Sequence, residues 1–362
     1  MGVKGKAWLG NVLLLVVSIG VALVAFESFL AYDDWHPRST DYMSEVTLNG
    51  TTYRFIEDRR AIDQPNTAVL IAGDSFTAGS SCADHRNYPS AFTKAASEAG
   101  AGVHAVNLGV QGSGPIAYAA RIHDYLEEKG RAAGVIMTLY ANDVEIDCDA
   151  CRYLERWSHL GGLTDADRAE LTKRCTSCLR DDTQKLSGET DRTRLINWWL
   201  ADRSKTYLLL REIAARFAAG VGLIDVTWGR GAFPDRWKDS SGLYFKHVAA
   251  GIELARQDAV TRSIPFMVVI YPDPVAINES NEYVPIYRQV QSVLSAQTRV
   301  PVFSGYEAFL GNARTRQNMP FSLTDAHPSC EAHDMFGKWV FQKWSAVTPI
   351  QTTSRHASPP PR

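Results

Sequence analysis

Ser75 ends an apolar run with an abrupt Gly-Asp-Ser-Phe, in the stretch AVLIAGDSFTAGS from Ala68 to Ser80. A serine hydroxyl is a weak nucleophile until a base takes its proton. His327, in SLTDAHPS from Ser322 to Ser329, is the candidate base, and Asp325 is the nearest carboxylate to hold the imidazole tautomer and stabilise its cation. A tetrahedral oxyanion also needs preorganised donors. Two segments offer them. NLGVQGSGP (Asn107 to Pro115) carries glycines that let backbone N–H groups come close to a ligand, and LYAND (Leu139 to Asp143) presents the amide of Asn142. The N–H groups of Ser75 and Gly112 and the side chain of Asn142 make three donors, a set suited to moving an ester-linked acyl group. Each piece also has a plainer reading: Ser75 as the N-cap of the next helix, Asn107 and Gly112 as a turn, Asn142 as an Asx cap, and His327 as a surface histidine before Pro328.

The elements that must position these residues alternate. Val69 to Ala72 is a continuous apolar run, the pattern of a parallel strand buried on both faces. A helix is expected over 88–99, a strand over 103–108, a helix over 116–129 and a strand over 135–139. Between about 144 and 240 the alternation gives way to cysteines, charges and the Trp198-Trp199 pair, which marks an insertion. It resumes with a helix near 249–263, a strand over 266–271, a helix near 284–296, a strand over 300–303 and a final helix over 331–345. Alternating strands and helices imply a parallel sheet covered on both faces. Ligands on such sheets bind outside the carboxyl ends of the strands, where Ser75, the glycine segment and Asn142 all fall.

These blocks resemble the SGNH hydrolases, also called GDSL-type esterases. GDSF (Gly73 to Phe76) is similar to that family's nucleophile block, NLGVQG to its glycine block, YAND to its asparagine block and DAHPS to its Asp-His block. The resemblance implies a three-layer α/β/α flavodoxin-like fold and no cofactor. It implies Ser75 as nucleophile, His327 as base, Asp325 as its orienting acid, and Ser75, Gly112 and Asn142 as the oxyanion hole. The family more often spaces its Asp and His three residues apart; here they are two apart, with Thr324 in the usual place. Ser75 and His327 acting as a dyad, helped by a backbone carbonyl, is the alternative. The wording of the first two blocks is similar to membrane-anchored bacterial members associated with O-acylation of surface polysaccharides. That implies an acylated carbohydrate substrate and a membrane-embedded acyl-donor partner. A lipid-active lipase or thioesterase, with Trp157, Trp198 and Trp199 lining a long apolar cleft, is another reading, as is a non-catalytic assembly component on the same fold.

The amino terminus fits the anchored reading. Lys4 and Lys6 precede about 19 residues without a charge, Trp8 to Phe26, and Glu27, Asp33 and Asp34 follow. A bilayer takes roughly 20 apolar residues and a cleavable signal roughly 7–15. An uncleaved single-pass anchor through residues 8–26 of the inner membrane is therefore expected, with the lysines inside and everything after residue 30 periplasmic. The organisation expected is an anchor over 1–30, a linker over 31–65, a catalytic domain over 66–348 and a disordered tail over 349–362. In the linker, Asn49-Gly50 sits between two β-rich runs and predicts a hairpin. With 45% hydrophobic and 22% charged residues and a formal net charge of -2, the chain offers no footprint for nucleic acid.

Six cysteines complete the inventory. Cys148, Cys151, Cys175 and Cys178 form two C-x2-C pairs in the insertion. In an oxidising compartment they read as disulfides, Cys148 to Cys178 and Cys151 to Cys175; a zinc site is the alternative. Cys82 follows Ser75 by seven residues and Cys330 follows His327 by three, so a site assembled as above would bring them together as a pair. His333 falls inside the last helix and reads as structural. His85, His104, His123 and His247 follow no metal-ligand spacing, and no catalytic metal is expected.

Overall fold

Strand β3 (Ala68–Ala72), every residue of it fully buried, lies inside a parallel sheet between β4 (His104–Asn107) and β5 (Gly134–Leu139). In the computed structural model the sheet continues through β6 (Phe266–Ile270) to β7 (Val302–Ser304), in the order β4-β3-β5-β6-β7. All four pairings are parallel. This is the flavodoxin-type order, and the direction of winding reverses between β3 and β5, the point of such sheets at whose carboxyl side ligands bind. The structure describes residues 64–79, 87–110, 113–144, 163–173, 242–272, 283–309 and 327–348. It also describes the backbone of 44–48 and 51–55, scattered residues of 18–28 and 206–218, and Trp237.

Side chains alternate across the sheet, as a period of two requires. Leu70, Val135, Met137, Val268 and Ile270 face one cluster, with helices α3 (Pro115–Lys129), α4 (Leu243–Thr261) and α5 (Tyr283–Thr298). Val69, Ile71, Ile136, Met267 and Val269 face the other, with α2 (Tyr88–Glu98) and α6 (Cys330–Val347). The result is the expected three-layer arrangement. Gly134 lies under Trp344, whose indole occupies the space a side chain on that strand would need.

Most expected elements appear within two residues of their predicted ends. The exception is α4, which begins at Leu243 rather than near residue 249. Its N-cap, Gly242, makes no side-chain cap bond, so the usual Ser/Thr/Asp/Asn start signal is missing. The hairpin is present as β1 (Ser44–Leu48) and β2 (Thr51–Phe55), antiparallel with Leu48 opposite Thr51. That register leaves two residues for the turn, as Asn49-Gly50 predicts.

The chain divides into two units. One comprises residues 40–186 and 227–362 and holds the sheet. The other comprises residues 1–39 and 187–226, so the middle of the insertion groups with the amino-terminal residues. Among the described residues no helix is long and apolar enough to cross a membrane. The anchor expected over 8–26 lies largely outside the described residues; of it, Val21 to Val24 and Phe26 are helical and exposed. The disordered tail expected over 349–362 lies outside them as well.

Candidate active site

The chain leaves β3 through Gly73 and turns at once into the short helix α1 (Ser75–Ala78). Asp74 is the N-cap: its Oδ1 accepts from the Phe76 N–H at 2.9 Å. The capping task is thereby taken by the residue before Ser75, and the Ser75 hydroxyl is left for another partner. Gly73 is required here because a Cβ would run into the Thr77 hydroxyl. Gly109 serves the same turn from the next strand, since a Cβ there would stand 2.7 Å from the Thr77 carbonyl carbon. The glycine segment therefore packs backbone to backbone on the nucleophile helix, and the Asn107 Oδ1 holds its turn by accepting from Gly109 N–H at 2.9 Å.

Ser75 Oγ lies 2.8 Å from His327 Nε2. The histidine immediately precedes α6, whose N-cap Ser329 accepts from Ala332 N–H at 3.2 Å. Ser75 is 6% exposed, so the bond is sheltered from water while the half-buried imidazole remains reachable. Phe76 packs beside the imidazole, ring centroids 5.2 Å apart, and its ring is stacked on Tyr140 at 3.8 Å. These aromatic rings form one wall of the site.

Asn142 sits in the 3-10 turn after β5 (Ala141–Val144). Its Oδ1 is buried without a hydrogen-bond partner among the described residues. The turn is fastened twice. The Asp143 Oδ2 accepts from Tyr140 N–H at 2.7 Å, and the indole N–H of Trp237 donates to the Ala141 carbonyl at 2.8 Å. Trp237 comes from the far end of the insertion and is 3% exposed. No local pattern marks it for this role, and sequence reasoning passed over it.

Burial pushes the Asp74 carboxyl up to about 6, against the pull of the Phe76 N–H, of a charge on His327 and of the Asn142 side chain. Asp74 Oδ2 has no hydrogen-bond partner among the described residues. Behind the site, His333 in α6 is fully buried between Tyr88 and Tyr271. Burial first, and the charge of His327 second, push it down to about 3. It is a neutral, packed imidazole, in line with its structural reading. His247 is likewise held down, to about 4, by burial.

Of the expected site residues, the structure thus brings Ser75 and His327 into hydrogen-bond contact and sets Asn142 in the neighbouring turn. Gly112 and Asp325 lie outside the described residues. So do Cys82 and the four insertion cysteines, Cys148, Cys151, Cys175 and Cys178. Cys330 is disulfide-bonded, and its partner falls outside the described residues too. Among the described residues no cluster of histidine, cysteine and carboxylate side chains could hold a metal ion.

No family model matches the chain. No curated protein matches it either. Among solved structures it is similar to the crystal structure of TesA, with 14% identity over 78% of this chain and 99% of that one, at a TM-score of 0.40. It is similar to a protein described as lipolytic and of the G-D-S-L family from Desulfitobacterium hafniense DCB-2, with 13% identity over 76% and 99%, at 0.37. A third is the psychrotrophic esterase EstA from Pseudoalteromonas sp., with 11% identity over 77% and 99%, at 0.38. At these scores the likenesses carry no weight for the chemistry, which rests on the site's own geometry.

Proposed function

We propose that this chain is a serine esterase or O-acyltransferase that works through an acyl-Ser75 intermediate. The observation that carries the reading is the 2.8 Å contact between Ser75 Oγ and His327 Nε2 at the carboxyl end of β3. His327 Nε2 takes the hydroxyl proton as Ser75 Oγ bonds to the acyl carbonyl carbon. The carbonyl oxygen becomes an oxyanion, and the Ser75 N–H and the Asn142 side chain are the described groups fit to receive it. The C–O bond to the departing alcohol then breaks, and that oxygen takes the proton back from His327. A second oxygen nucleophile, from water or a sugar hydroxyl, gives its proton to His327 as it bonds to the acyl carbon; the bond from that carbon to Ser75 Oγ then breaks, and Ser75 Oγ takes the proton back from His327.

The finer reading places the enzyme in the inner membrane with its catalytic unit in the periplasm, acting on O-acyl groups of a surface polysaccharide and taking acyl groups from a membrane-embedded donor. What supports the anchor is the uncharged stretch Trp8 to Phe26, with lysines before it and acids after it. Leu210, Ile213 and Phe217, three and four residues apart in the unit that contains that stretch, are exposed as well, which suits contact with lipid. What supports the acceptor is the wording of the first two sequence blocks. Cys82 pairing with Cys330 belongs to the same reading, since a disulfide persists in an oxidising compartment.

The test is release of nitrophenol from acetyl to decanoyl esters by the full chain in detergent, with and without an oligosaccharide acceptor. Activity on acetyl esters that Ser75→Ala abolishes supports the esterase; equal rates in the two proteins sink it. A rate that rises with acceptor, with acyl groups found on the sugar, assigns transfer. Preference for the longest chain replaces the polysaccharide by a lipid substrate. Extraction of the protein from membranes by carbonate would remove the anchor from this account.

A further inference from the structure

Two side chains on one face of α3, Tyr118 and Arg121, are wholly enclosed, at 0% and 2% exposed. A guanidinium is costly to bury, so its placement must be matched by bonds. Arg121 Nε donates to the Leu108 carbonyl at 2.8 Å, and Nη2 donates to the Gly73 carbonyl at 3.1 Å and to Ser113 Oγ at 2.8 Å. Ser113 Oγ in turn donates to the Val110 carbonyl at 2.7 Å. One planar fork thus binds the residue before Asp74-Ser75, the residue that follows β4, and Ser113, which in turn holds Val110 on the other side of the stretch that carries Gly112. The Arg121 guanidinium carbon stands 5.5 Å from the centre of the Tyr118 ring, so the two side chains pack as a unit.

Tyr118 extends the fork to the third loop. Its Oη lies 2.7 Å from the Ser113 carbonyl and 2.5 Å from Asp143 Oδ1, and the other oxygen of Asp143 holds the Tyr140 N–H. Asp143 is the neighbour of Asn142. The three loops that follow β3, β4 and β5 therefore meet on two side chains of one helix, and these loops bear Ser75, Gly112 and Asn142 respectively.

We propose that Tyr118 and Arg121 are positioning residues that set the spacing of the oxyanion donors around Ser75, acting through Gly73, Ser113 and Asp143 without touching the reacting atoms. The inference rests on the acyl-transfer reading above. Oxyanion stabilisation depends on donors held in place before charge develops, so displaced donors cost turnover more than they cost binding. A clamp that served only to keep the domain folded would change stability and leave the chemistry of the carbonyl oxygen alone.

The experiment compares Tyr118→Phe and Arg121→Lys with wild type and with Asn142→Ala, all as full chains, on nitrophenyl acetate and on its thiono counterpart. The thiono sulfur accepts hydrogen bonds poorly, so the preference for the oxygen ester reads the oxyanion hole. In both variants kcat on the oxygen ester is expected to fall about tenfold or more with KM within about threefold, and the preference to shrink in the direction of Asn142→Ala. Tyr118→Phe removes one hydroxyl and keeps the ring, so it carries the test if Arg121→Lys does not fold. A preference that stays at the wild-type value in a folded variant overturns the proposal, whatever happens to kcat or to the thermal midpoint. If wild type is no faster than Ser75→Ala on either ester, the esterase reading itself fails and the proposal falls with it.

Discussion

Gly337 lies against the backbone of Tyr88: a Cβ at position 337 would meet the Tyr88 carbonyl oxygen and stand 2.6 Å from Ala91 Cβ and 2.9 Å from Phe92 N. The contact seats α6 on α2. Tyr88 in turn reaches the nucleophile helix, its hydroxyl bonded to Thr77 Oγ1 at 3.1 Å and to Thr138 Oγ1. Since His327 stands just before α6, this glycine fixes how near the base helix comes to the elements that hold Ser75. Gly337→Ala inserts a methyl group against backbone that cannot yield, and overpacking of this kind costs about 1–3 kcal/mol. A lower thermal midpoint and a several-fold lower kcat on acetyl esters are expected. An unchanged kcat would show that the helix contact does not govern the base.

Asp74→Asn tests the carboxyl beside the nucleophile. The amide oxygen can still accept from Phe76 N–H, so the cap survives and only the ionisation is lost. The folded-state value of about 6 is above the ordinary 3.8, so folding favours the protonated form. Stability from this group is fully present below pH 3.8 and is lost as pH rises through 6. Wild type therefore loses stability across that window as the buried carboxyl is forced to ionise. Chemical denaturation at pH 4 and pH 7 should show Asp74→Asn gaining on wild type at the higher pH. A gap between the two proteins that is the same at both values refutes the assignment.

His333 gives the opposite sign. Its folded value of about 3 is below the ordinary 6.5, so the unfolded chain takes a proton that the folded protein refuses. Stability is present above pH 6.5 and lost as pH falls toward 3. Between pH 6.5 and pH 5 this residue removes about 2 kcal/mol. His333→Leu should therefore lose less stability than wild type on acidification from pH 7.5 to pH 5, measured by denaturant midpoint. Parallel losses in the two proteins would mean that His333 is protonated in the folded state. His247, held down to about 4, adds to the wild-type slope and remains in both proteins.

Trp237→Phe keeps an aromatic ring but withdraws the N–H from the Ala141 carbonyl, leaving that buried oxygen without its bond. The cost expected is about 1–3 kcal/mol. Because Ala141 immediately precedes Asn142, kcat should fall several-fold with KM nearly unchanged. A variant whose only defect is in stability would limit Trp237 to packing.

The strands were readable because burial on both faces writes itself as an unbroken apolar run, as in Val69 to Ala72, and the turns because glycine marks where backbones touch. The pairing of Ser75 with His327 was legible from residue chemistry and order. What the sequence hid was every contact made at long range without a local pattern. Arg121 reads as an ordinary helix residue until Gly73, Leu108 and Ser113 are brought around it. Trp237 lies inside a stretch whose periodicity is broken, so nothing tied it to Ala141. Asp74 and Ser75 are both good caps, and only the bond from Phe76 to Asp74 decides between them.

The contact between Ser75 and His327 joins positions 252 residues apart, with β4, β5, β6 and β7 formed from the chain between them. Synthesis delivers the nucleophile 252 residues before the base. A growing chain that has already folded its first strands is therefore chemically silent, however long it waits. The serine is armed only when α6 docks and brings His327 within reach of it.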